Sequence, residues 1–80
     1  MAEQKDTAAE VYQARRRDVD SLLDMLRDEV AHHAAYAATE PGDWCFAGDM
    51  GHLRELLVEA LCFLAQQETE DVERRLSEGR

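Results

Sequence analysis

Residues 1–40 contain neither proline nor glycine; the single proline is Pro41, and the four glycines all follow it. Nothing in that first half therefore interrupts a helix. Basic residues are scarce beside acidic ones, 9 against 18, for a formal charge of −9. A field of that sign repels phosphate, which argues against direct binding of nucleic acid or an anionic membrane and leaves a basic protein surface open as a partner. No apolar run approaches the roughly 20 residues of a membrane span. The opening MAEQKDTAAE lacks the basic and apolar segments of a signal peptide, so a cytoplasmic location is expected. Two cysteines, Cys45 and Cys62, do not make a disulfide framework and fit a reduced compartment. There is no Cys-x2-Cys pair, no glycine-rich phosphate loop, no nucleophile elbow, no strand-like alternation and no internal repeat.

What is present is helical periodicity. Thr7-Ala8-Ala9-Glu10 has the form of a capping box, in which hydroxyl and carboxylate each bond the other residue's amide. From there Tyr12, Val19, Leu22, Leu23, Leu26, Val30, Ala34 and Ala37 recur at steps of three, four and seven, the spacing of one helix face. At 1.5 Å per residue this predicts a helix over 7–38 roughly 46 Å long, stopped by Pro41 and Gly42. A second helix is expected over 49–77, with Asp49 as N-cap and a broad apolar face of Leu53, Leu56, Leu57, Val58, Ala60, Leu61, Cys62, Phe63 and Leu64. The polar stretch QQETED leaves a break near Thr69 open; continuation with frayed ends is the favoured reading.

The expected fold is all-α: one domain over 1–80, an antiparallel two-helix hairpin with its turn at 39–48. Centring that turn near Trp44 sets Arg15, Arg16 and Arg17 across from Glu70, Asp71 and Glu73. A single hairpin leaves half of each apolar stripe in water, so dimerisation into a four-helix bundle is expected, with Leu22, Leu26, Val30, Leu53, Leu57, Leu61 and Leu64 as the interface and core. In the turn, Trp44 and Phe46 are expected to fold over the open end of the helix pair, or else to form a binding tip.

Three groups carry residue types capable of chemistry. His33, Cys45 and His52, with Asp43 or Asp49 nearby in sequence, supply enough donors for a zinc-like site at the turn, although Cys-x6-His matches no standard signature. Against that, the same residues serve as ordinary packing and capping groups. Glu29-Val30-Ala31-His32 has the Glu-x-x-His form of ferritin-like metal bundles, but Val30 is the better core position and turns Glu29 and His32 sideways. Cys62 lies some 20 Å along its helix from the turn, too far to bridge Cys45, and is expected to be a buried thiol. The functional expectation is a non-enzymatic interaction or assembly module that self-associates as a homodimer and needs no cofactor. One alternative is an acidic inhibitor or nucleic-acid mimic, with Asp18, Asp20, Asp24, Asp28 and Glu29 as a phosphate-like row for a basic partner. The other is a small metal- or ligand-binding bundle.

Overall fold

The computed structural model describes residues 7–80. Every regular element among them is an α-helix: α1 (Ala8–Thr39), α2 (Trp44–Ala65) and α3 (Thr69–Glu78). The chain divides into two units, Met1–Pro41 and Gly42–Arg80.

The first unit is built on α1. Its start is the expected capping box: the Glu10 amide donates to Thr7 Oγ1 at 3.1 Å, and the Thr7 amide donates to Glu10 Oε1 at 2.9 Å. Thr39 ends the helix by turning its hydroxyl back onto the Tyr36 carbonyl at 2.6 Å, and the Glu40 amide donates to Ala37 O just before Pro41. The proline forbids helical geometry at Glu40, so these local bonds satisfy the last carbonyls.

The second unit starts earlier than the sequence suggested. The N-cap of α2 is Asp43, whose Oδ1 accepts from the Cys45 amide at 2.9 Å, and Asp49 stands within the helix. Both aspartates have the right chemistry for a cap. Asp43 directly follows the Pro-Gly corner, so the helix starts at the first cap available. Phe46, Met50, Leu53 and Leu57 then continue one apolar stripe at helical steps, which outweighs the poor propensity of Gly48 and Gly51. Residues 44–48 are accordingly helix and not turn.

Nor does one helix run over 49–77. Gln66 takes a left-handed conformation (φ 58°), and the amides of Gln66 and Gln67 both donate to the Cys62 carbonyl, which closes α2. Two residues later α3 begins, with the Asp71 carboxylate reaching back to the Glu68 amide at 3.2 Å. The polar stretch is thus the corner of a tight helix–turn–helix, and α3 packs on α2. Val72, 4% exposed, is the one buried residue among those described.

Candidate functional site

Periodicity put an apolar stripe on each long helix, and many positions of both stripes are exposed. On α1 the positions from Val19 to Ala37 advance 18 residues in five turns, or 3.6 per turn, so they form a straight seam that needs no supercoil. Leu26 and Val30 are half-buried, whereas Val19, Leu22 and Leu23 are exposed. On α2, Leu53 is half-buried, while Leu57, Leu61 and Leu64 are exposed. Of the seven predicted core positions, four therefore lie open, and no residue of α1 or α2 is buried. Phe63 and Leu64 stand out at 78% exposure each. Fully burying such a side chain is worth about 1.5–3 kcal/mol, and most of that is unrealised here.

Trp44 and Phe46 form part of the first turn of α2 rather than a loop. Trp44 is 84% exposed, while Phe46 is half-buried.

The unit formed by α2 and α3 has its own internal chemistry. Arg54 on α2 forks onto Glu73 on α3: Nη1 donates to Oε2 at 2.9 Å and Nη2 donates to Oε1. The guanidinium bond, and then its charge, hold Glu73 below the usual carboxylate range, and the same bond raises Arg54 further. Asp71 is likewise held low, first by the Glu68 amide and then by Arg74, which donates to Oδ1 at 2.9 Å. Two of the three acids expected to face Arg15–Arg17 are therefore bound within their own unit, and Arg16 lies 3.8 Å from Asp20 on α1. Arg75 donates to Gln67 Oε1 at 2.8 Å, and the Cys62 sulfur lies 3.9 Å from Thr69 Oγ1. Both cysteines are free thiols, Cys45 exposed and Cys62 half-buried rather than buried.

The proposed donor groups are distributed over two helices. Cys45 and His52 both belong to α2, seven residues or about 10 Å apart, where ligating pairs on one helix stand three or four residues apart. His33 belongs to α1. Among the described residues, no group of three or more His, Cys, Asp or Glu side chains is placed to hold a metal ion. Glu29 and His32 line a shallow, open depression with Ala35, Tyr36 and Thr39, all from α1. No helix among the described residues is long and apolar enough to cross a membrane.

No family model matches the chain, and comparison with the curated proteins and with solved structures gives no match. Sequence reasoning missed Val72 as a core residue and the Arg54–Glu73 tie. A signal for the second was present: Arg54 is the only arginine or lysine in α2, and the acidic cluster 68–73 lies within reach of it once the chain turns at Gln66.

Proposed function

We propose that this chain is a non-enzymatic helical interaction module that self-associates, with α1 and α2 pairing as an antiparallel hairpin and two copies completing a four-helix bundle. The observation that carries the reading is the exposure of much of the apolar stripe on both long helices, with Val72 alone buried among the described residues. Open apolar faces of this extent mark association surfaces in folded proteins. A chain of 80 residues also has little core of its own to rely on. Association supplies what the single chain lacks, because each exposed leucine placed at a helix interface recovers its transfer free energy.

Sedimentation equilibrium across a wide concentration range tests this. A mass of twice the 9.1 kDa chain, with a melting temperature that rises with concentration, is expected. A 9.1 kDa particle that unfolds cooperatively at a concentration-independent temperature overturns it.

A second reading has one observation in its favour. Asp18, Asp20, Asp24, Asp28 and Glu29 are all exposed along successive turns of α1, a row that suits a basic protein partner. Reversing the charge of Asp24 and Asp28 separates the readings. Self-association survives that change, whereas capture of a basic partner weakens sharply and loses its salt dependence.

A further inference from the structure

We propose that Gln66 is a hinge on which the second unit switches from the helix–turn–helix to one continuous helix over 44–78, with α3 swinging off α2 to prolong it.

Nothing in the local sequence calls for the break at Gln66. From His52 to Glu78 there is neither glycine nor proline, and the corner itself is Gln66-Gln67-Glu68, residues that favour a helix interior. Yet Gln66 holds φ 58°, and Glu68 is extended at ψ 161°. The left-handed region crowds any side chain that has a Cβ, and glycine is its usual occupant at a helix end. Returning Gln66 and Glu68 to helical angles removes that crowding. It also lets the Glu68 amide donate to the Leu64 carbonyl and the Thr69 amide to the Ala65 carbonyl, as in any α-helix.

The two helices share one phase across the break. Val58, Cys62, Ala65, Thr69, Val72 and Leu76 follow at steps of four, three, four, three and four, the repeat of one side of a single helix. A helix that merely docks after a turn has no need of that phase, because the turn resets it. In the docked form Val58 and Cys62 are the half-buried positions of 54–65, Val72 is buried, and the Cys62 sulfur lies 3.9 Å from Thr69 Oγ1. The straight form lays the same residues out as a seam about 27 Å long.

Little holds the docked form: the burial of Val72, and the Arg54–Glu73 fork between side chains that are 46% and 40% exposed. Released by itself, α3 is too short to keep its helix in water. As a prolongation of α2 it keeps its backbone bonds, although its amides then lie at a fraying end. The two forms thus differ by a few contacts and not by a lost helix, which is what a two-state hinge requires.

Spin labels at two exposed positions, Glu55→Cys and Ser77→Cys, report the state by their separation in a Cys45→Ser, Cys62→Ala chain diluted with unlabelled protein. A straight helix sets these sites about 33 Å apart, whereas the Arg54–Glu73 bond holds them much closer. The native corner is expected to give mainly the short distance. Val72→Ala with Gln66→Ala removes the buried side chain and the bond from Gln66 Nε2 to the Phe63 carbonyl. Together they are expected to raise the ratio of straight to docked chains roughly 100-fold, so that the long distance predominates. Adding Thr69→Pro is expected to reverse that gain, because proline suits the first position of α3 after an extended Glu68 but breaks a helix that runs through it. A double variant that keeps the short distance, or that spreads over many distances with no maximum near about 33 Å, overturns the switch. So does a long distance that survives Thr69→Pro. A second readout keeps both cysteines: the Cα chemical shift of Glu68 is expected to become helical in the Val72→Ala, Gln66→Ala chain. A shift that stays extended there overturns the proposal whatever the labels report.

Discussion

Replacing Val72 by alanine should release α3 from α2. Val72 is the only buried residue described, and the other ties between the elements of this unit lie in solvent, with the Arg54 and Glu73 side chains 46% and 40% exposed. Each buried methylene is worth about 0.8 kcal/mol, and the substitution removes two carbons. The cavity left behind adds to this, giving a cost of about 2 kcal/mol. That shifts the balance between docked and undocked α3 roughly 30-fold. Detached, α3 is a ten-residue helix, below the length at which helices hold on their own in water. Amide hydrogen exchange should therefore speed up roughly 30-fold over residues 69–78 in the Val72→Ala chain, while the amides of α1 keep their native rates. Leu76→Ala should have a smaller effect in the same assay, because Leu76 is already 41% exposed. If exchange over α3 is unchanged in Val72→Ala, burial of Val72 is not what docks the helix, and this account of the unit is wrong.

Other outcomes follow from the same geometry. Thr7→Ala removes the hydroxyl half of the α1 capping box and should cost about 1 kcal/mol, visible as faster exchange in the first turn only. Gln66→Gly should stabilise the chain by about 0.5–1 kcal/mol in urea unfolding: it relieves the left-handed strain and loses the bond from Gln66 Nε2 to the Phe63 carbonyl. Acid should loosen α3. The folded-state pKa of Glu73 is depressed by Arg54, so the contribution is present above the ordinary carboxylate range of about pH 4–5 and is lost as pH falls through the lowered value. Glu73→Gln should flatten that acid limb in a pH series of α3 exchange rates; a limb of unchanged steepness assigns it to other carboxylates. Gly51→Ala, on a helical position with open space around the added methyl, should raise helix stability by roughly 0.5–1 kcal/mol in thermal unfolding followed by circular dichroism.

Much of the architecture was written in local signals. The helical class and both ends of α1 came from residues within four positions of one another: the Thr7–Glu10 box, the run free of proline and glycine, and Pro41. The apolar faces were equally legible, since a period of 3.6 needs only the order of side chains. The start of α2 was misplaced although it too is local. Asp43 and Asp49 are chemically equal as caps, and an aromatic pair beside glycines resembles a corner as much as a first turn. Of the candidate site, the stripes could be read in advance, but how open each position stands could not, because exposure depends on what lies opposite.

By itself, then, the sequence determined that this chain is helical, where α1 begins and ends, and that each long helix presents an apolar stripe. Those properties depend on bonds and periodicities that span a turn or two. Tertiary structure alone decided the break at Gln66, the return of α3 onto α2, the burial of Val72 and the choice of Arg54 as the partner of Glu73. A glutamine in the left-handed region costs about 1–2 kcal/mol, and no local preference selects it. It persists because the turn it makes lets α3 bury Val72 and bring Glu73 to Arg54, contacts between residues too far apart in sequence for any helical repeat to foretell.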